Sequence, residues 1–224
     1  MAPTKPERPW STQQSAELYG VDEWGHDFFG INPQGHATVR LRDGENFQDI
    51  SLHEIIEGLR ERGTDLPVLL RFRDLLQSRI AELNHSFQSA IEKLGYRGNY
   101  RGVYPIKVNQ QRQVIEEITE FGRAFHYGLE AGSKPELIAA LAHMHDTEAY
   151  LICNGYKDVE FIDLALHAQK MGLKVMLVLE MPTELDLVLE RSQVLGVLPN
   201  LGVRVRLSTK GAGHWEESAG DHSV

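Results

Sequence analysis

Between residues 100 and 207 the sequence repeats one pattern, an apolar run of strand length followed by an amphipathic segment of helix length. The runs are VYPIKV, HYGLEA, AYLICN, LKVMLVLE and LGVRVRL, with helices expected near 111–121, 133–144, 158–171 and 184–194. A single helix between consecutive strands carries the chain back to the edge where it started. The strands are therefore parallel and their crossovers right-handed. Two helices have their own start signals, Ser133 with Glu136 and Thr183 with Asp186. The expectation is a sheet of five parallel strands.

Such a sheet is either open and doubly wound or an arc of an eight-stranded barrel. In a regular first strand, Tyr104, Ile106 and Val108 share one face, and Val103, Pro105, Lys107 and Asn109 the other. In the last, Leu201, Val203, Val205 and Leu207 oppose Gly202, Arg204 and Arg206. An open sheet covered on both sides would bury those arginines among apolar side chains, at high cost for an unpaired charge. A barrel instead sends the apolar face to the outer helices and gathers polar residues at its mouth. The predicted fold class is α/β, a partial (β/α)8 TIM-like barrel. Five strands do not close it, and the final GAGHWEESAGDHSV is polar and loop-like, so the sequence reads as truncated.

The amino-terminal part follows different rules. Residues 1–10 are Pro-rich and charged, a flexible tail by composition, and Ser11 caps a short helix that Gly20 ends. FFGIN and HATVRL flank Pro33-Gln34-Gly35 and predict a β-hairpin. Ser51 and Glu54 start a helix over 52–62, Gly63 closes it, LPVLLRF reads as an apolar strand, and a long helix covers 74–94. The expected organisation is a tail (1–10), a piece of a β-domain (11–64), the partial barrel (65–207) and a loop-like end (208–224).

Composition narrows the function classes. With 42% hydrophobic and 25% charged residues among 224, the chain can bury a core and is not disordered as a whole. Its net charge of -9 and lack of a basic run argue against a nucleic-acid surface. One cysteine, Cys153, forms no internal disulfide, and MAPTKPERPW has no apolar leader, so a cytoplasmic location is expected. Apolar stretches such as VMLVL are far shorter than the ~20 residues of a membrane helix, so no membrane span is expected.

Among candidate residues, Lys107 interrupts an apolar strand near its end. Desolvated, it is a usable amine nucleophile; at a strand end it can equally extend to water. The segments RGVYPIKVNQQRQVIEEI, GLEAGSKPEL, ICNGYKD and LGVRVRL, with ELYGVDEWGHDFFGIN and DLPVLLRFRDLL upstream, together resemble the biosynthetic arginine decarboxylases. That family belongs to the alanine-racemase-like barrel decarboxylases. The resemblance runs from Trp10 onward, and since family members are much longer, it implies an amino-terminal fragment.

By this resemblance Lys107 matches the lysine that holds pyridoxal 5'-phosphate as a Schiff base. The implied reaction turns L-arginine into agmatine and carbon dioxide for putrescine and spermidine synthesis, with magnesium dependence and a homo-oligomer. Arg204 matches an arginine near the cofactor, where a guanidinium grips an anionic oxygen, and Arg206 ranks below it because it can equally pair with Glu180. Glu130 ends the second strand within expected reach of Lys107, either to orient the amine and shuttle its proton or simply to form a salt bridge. Asn154 faces the mouth and is a polar contact for the cofactor. His143, His145 and Asp146 fall at the opposite end and read as surface loop residues, so no metal ligands are assigned. Cys153 reads as a core cysteine, and Gly211 and Gly213 as a mobile loop rather than a phosphate cradle. The alternatives are a non-catalytic pyridoxal-phosphate-binding or regulatory relative, or a barrel decarboxylase acting on ornithine or diaminopimelate.

Overall fold

The computed structural model describes residues 9–43 and 46–205; residues 1–8 of the expected tail, Arg206, Leu207, Gly211, Gly213 and the loop-like end lie outside the described residues. The chain divides into two compact units, one up to Leu76 and one from Gln77.

In the first unit, α1 (Thr12–Tyr19) begins with a reciprocal cap: Gln14 N donates to Ser11 Oγ, and Ser11 N donates to Gln14 Oε1. Gly20 ends it in a left-handed conformation (φ 58°) and α2 (Val21–Gly25) follows. The expected hairpin is formed by β1 (Phe29–Ile31) and β2 (Ala37–Asp43), antiparallel. Asn32 organises its turn, because its Oδ1 accepts from the backbone N–H of both Gln34 and His36.

A third antiparallel strand, β3 (Asn46–Ser51), was not expected. Its sequence NFQDIS lacks apolar alternation because most of it is exposed, and its place is fixed by β2, where Arg40 and Asp49 are register partners and an ion pair. Ser51 then caps α3 (Leu52–Glu61), accepting from Glu54 N. The expected strand LPVLLRF does not form. Pro67 has no N–H to give a ladder, and among the described residues no strand pairs with this run. The long helix α4 (Arg73–Leu94) follows.

The second unit is the alternating one. Its strands are β4 (Val103–Pro105), β5 (Gly128–Ala131), β6 (Tyr150–Cys153), β7 (Lys174–Leu179) and β8 (Leu201–Val203). Between them lie α5 (Arg112–Gly122), α6 (Lys134–His143), α7 (Val159–Lys170) and α8 (Pro182–Leu195). All neighbouring strands are parallel, and spatial order equals chain order, β4-β5-β6-β7-β8. A doubly wound sheet reverses direction at a switch point, whereas a barrel adds each strand on the same side. The unit is thus an arc of a β/α barrel, preceded in the chain by a small antiparallel sheet.

Leu151, Cys153, Val175 and Leu177 are buried and alternate with half-buried Ile152, Met176 and Val178, so the two sheet faces are unequally covered. Phe161, Ile162, Leu166, Ile115, Ile118 and Val188 complete the core from the helices.

Three local expectations are corrected. The VYPIKV strand stops at Pro105, and Ile106–Val108 form a 3-10 turn, so Lys107 is not on a pleat; Ile106 is buried and Val108 is exposed, which breaks the expected shared face. Helix α8 begins at Pro182, and Glu184, not Thr183 with Asp186, caps it, accepting from the N–H of Glu180 and Met181. At β8, Val203 (72% exposed) and Val205 (74%) do not meet outer helices, because β8 is an edge of the sheet among the described residues.

Candidate active site

In a parallel sheet every strand ends on the same side, so the residues following β4 to β8 converge on one edge. Lys107 leaves that edge in the 3-10 turn after β4, and its side chain is exposed rather than desolvated. The turn is steered into α5 by Asn109, whose Oδ1 accepts from Gln111 N at 3.0 Å. Glu130 is paired in register with Pro105 and is buried. Asn154, just beyond β6, donates from Nδ2 to Glu130 Oε1 at 3.0 Å, while its own N–H continues the ladder to Ala131 O. Glu130 and Asn154 are therefore joined. Lys107 and Glu130 share the edge, but among the described residues no hydrogen bond or ion pair links them.

Arg204 follows β8, its N–H donating to Leu179 O. Its Nη1 lies 3.3 and 3.2 Å from the two oxygens of Glu180, the residue just after β7. The sequence left Glu180 as an alternative partner of Arg206, which lies outside the described residues; among the described ones Arg204 meets it. That carboxylate is largely buried and also accepts from Gly155 N at 2.6 Å, while the Arg204 side chain is 53% exposed. Arg204 thus stands at the edge with its direction set by Glu180.

Several residues of this edge escaped the sequence reading. Lys157, in the loop after β6, has a fully buried side chain whose Nζ donates to Gly155 O and Val178 O and lies 3.6 Å from Glu184 Oε2. Burial pushes this ammonium below the usual lysine range, with Glu184 and Glu180 pulling the other way. Glu136 accepts from Gly132 N at 2.7 Å, and Lys134 bridges Asp158 and Glu160, tying the start of α6 to that of α7. A Cβ on Gly155 (φ 73°) would lie 2.1 Å from Gly132 O, so only glycine lets the loops after β5 and β6 approach this closely. The signal for Lys157 was present in ICNGYKD, but a charge in a loop has no periodicity to mark it as buried.

The opposite edge is different. Asp146 pairs with His126 Nδ1 at 2.9 Å, and among the described residues no group of three or more His, Cys, Asp or Glu could hold a metal ion. Burial pushes the Cys153 thiol up to about 12, which removes it as a nucleophile near neutral pH.

Residues 79–224 match the family described as "Pyridoxal-dependent decarboxylase, pyridoxal binding domain". The chain is 46% identical over 219 residues to a biosynthetic arginine decarboxylase of Prochlorococcus marinus, covering 98% of this chain and 34% of that protein. It is 49% identical over 214 residues to that of Gloeobacter violaceus, covering 96% and 33%. The crystal structure of the biosynthetic arginine decarboxylase SpeA from Campylobacter jejuni superposes with a TM-score of 0.75 at 33% identity, covering 86% of this chain and 32% of that one. A diaminopimelate decarboxylase from M. jannaschi (TM-score 0.56, 21% identity, 82% of this chain and 37% of that one) shares the fold. The chain spans about a third of the length of the curated relatives it matches.

A pyridoxal group fits the donor set at the strand ends. Its aldehyde condenses with a primary amine, which Lys107 offers, and a carboxylate held in place by Asn154, that of Glu130, stands on the same edge. A guanidinium fixed by Glu180 stands on the same edge for an anionic oxygen. With the barrel arc, the lysine at its C-terminal edge and the match over residues 79–224, the chain belongs to the pyridoxal-dependent decarboxylases through their pyridoxal-binding domain.

Proposed function

We propose that this chain provides the lysine-bearing part of a pyridoxal-phosphate-dependent arginine decarboxylase, which converts L-arginine into agmatine and carbon dioxide. The observation that carries the reading is Lys107, an exposed amine at the C-terminal edge of the barrel arc, in a chain 46% and 49% identical to two biosynthetic arginine decarboxylases. Pyridoxal phosphate, when bound, supplies the electron-withdrawing ring that accepts the electron pair left as the carboxylate departs.

The protein's own contributions are positional and protonic. Lys107 Nζ would hold the cofactor, and when not engaged with it would stand as an amine able to carry a proton. Glu130 is oriented by Asn154 through Oε1, which leaves Oε2 as the oxygen able to take or return a proton at this edge. Asn154 keeps that carboxylate fixed and adds an amide to the cofactor side of the edge. Arg204, aimed by Glu180, binds an anionic oxygen of cofactor or substrate.

The resemblance extends the reading to polyamine synthesis, magnesium dependence, a homo-oligomer and a cytoplasmic location. Among the described residues no group of three or more His, Cys, Asp or Glu could hold a metal ion. No described helix is long and apolar enough to cross a membrane.

Incubation with pyridoxal phosphate, borohydride reduction and peptide mapping is expected to place the pyridoxyl group on Lys107; label on another lysine overturns the assignment. The substrate is tested in a chimera in which this chain replaces the corresponding third of the Gloeobacter violaceus relative. It should release carbon dioxide from carboxyl-labelled arginine and lose this with Lys107→Ala. Release from ornithine or diaminopimelate in place of arginine would overturn the substrate.

A further inference from the structure

The loop after β6 holds a cation that the chemistry above does not use. The Lys157 side chain is 0% exposed, and its Nζ is shared between two backbone oxygens, Gly155 O at 2.6 Å and Val178 O, and the carboxylate of Glu184 at 3.6 Å. Glu184, itself buried, accepts at Oε1 from Lys157 N (2.9 Å) and at Oε2 from Glu180 N (2.8 Å) and Met181 N (3.4 Å). One ion pair thereby touches the chain leaving β6 and the chain leaving β7.

Stability alone does not explain such a pair. An apolar pair of similar volume generally stabilises as well or better, because both charges must give up their water. The pair supplies direction instead. With Gly155 O and Val178 O on one ammonium, the Gly155 N–H meets Glu180 Oε1 at 2.6 Å, and Glu180 in turn faces Arg204 at 3.2 Å.

We propose that Lys157 and Glu184 are positioning residues of the candidate active site: the buried ammonium locks the loops after β6 and β7 into one frame, which orients Glu180 and, through it, Arg204. The consequence for the reaction rests on the reading of this edge as the active site; the frame itself does not, and its test uses no cofactor.

The test is residue-resolved amide hydrogen exchange on the 224-residue chain. In Lys157→Met the amides of Gly155, Glu180 and Arg204 should exchange at least about tenfold faster. The amides of Leu137, bonded to Ser133 O, and Leu177, bonded to Asn200 O, should keep their rates. Unchanged protection at Gly155 and Glu180 overturns the proposal, and so does equal acceleration at Leu137 and Leu177, which marks a general loss of stability. The double variant Lys157→Met with Glu184→Gln removes both charges while the new side-chain amide retains an oxygen for the cap. It should fold and still exchange rapidly at Gly155 and Glu180, because nothing then joins Gly155 O to Val178 O. Protection equal to that of the unsubstituted chain overturns the frame. Failure of both variants to fold overturns it too, since the pair would then support the sheet as a whole. Borohydride labelling away from Lys107, with the exchange pattern as expected, removes the reading of the site and leaves the frame standing.

Discussion

Arg204 meets both oxygens of Glu180 through one nitrogen, and an ammonium on a flexible stem does not reproduce the planar guanidinium. In the chimeric enzyme Arg204→Lys should therefore lower kcat/KM for arginine about threefold to tenfold, a modest loss because the side chain is half exposed. Unchanged steady-state kinetics would show that the guanidinium grips no oxygen of cofactor or substrate. Gly155→Ala is expected to be more damaging, since a backbone oxygen 2.1 Å from the new Cβ cannot swing aside as a side chain can. A loss of more than about 1 kcal/mol in denaturant unfolding is the expected outcome. At the opposite edge, burial pushes the Asp146 carboxyl up, but the Glu148 N–H, His126 and Arg123 together outweigh it and hold the group below its ordinary value of 3.8. A carboxyl depressed in the folded state contributes stability that is present above 3.8 and is lost as pH falls through the folded value. Asp146→Asn should thus be less stable than the parent at neutral pH, with the gap narrowing in urea titrations taken toward about pH 3. A gap independent of pH would mean that the variant acts through packing.

Asn32 carries the hairpin turn between β1 and β2 with two side-chain acceptances, from Gln34 N at 3.1 Å and His36 N at 2.8 Å. Asn32→Ala should cost the first unit about 1–2 kcal/mol, read as faster exchange along β1 and β2; unchanged exchange would show that Pro33 and Gly35 suffice. This hairpin was legible because Pro and Gly mark a turn by their own backbone limits, and β5, β6 and β7 because buried parallel strands are apolar runs between helices with start signals. What failed has physical causes. NFQDIS is a strand only because β2 lies beside it, so no pattern internal to it gave β3 away. LPVLLRF has the composition of a strand without a pairing neighbour among the described residues, and a run of apolar residues does not encode a partner. In VYPIKV the ladder to β5 ends with Pro105 opposite Glu130, and alternation stops where pairing stops, so Lys107 left the pleat. The placement of Lys107, Glu130, Asn154 and Arg204 at or just beyond the ends of their strands was legible. The bonds Asn154 to Glu130 and Arg204 to Glu180 were not, nor was the buried Lys157, because side-chain pairing across loops leaves no trace in spacing.

At the scale of the whole molecule, a barrel active site draws residues from the ends of several strands around the mouth. Here β4 and β8 each pair on one side only among the described residues, and Val203 in β8 and Val205 just after it are 72% and 74% exposed. An edge strand with exposed apolar side chains favours association with another strand. The chain also spans about a third of its curated relatives, so most of the length over which they build their sites has no counterpart in it. On the proposed reading Lys107 would bond a pyridoxal group, yet orientation against the remaining contacts is worth several kcal/mol of barrier, and a loosely held group does not reach it. The 224-residue chain alone should therefore acquire a borohydride-fixed label on Lys107 but release no enzyme-dependent carbon dioxide from carboxyl-labelled arginine, even with pyridoxal phosphate and magnesium added. The chimera should recover release. Robust release by the chain alone, abolished by Lys107→Ala, would mean that these residues assemble a complete site by themselves. The open edges at β4 and β8 would then be the place to look for a second copy of the chain completing the wall, and release would fall with dilution as that association came apart.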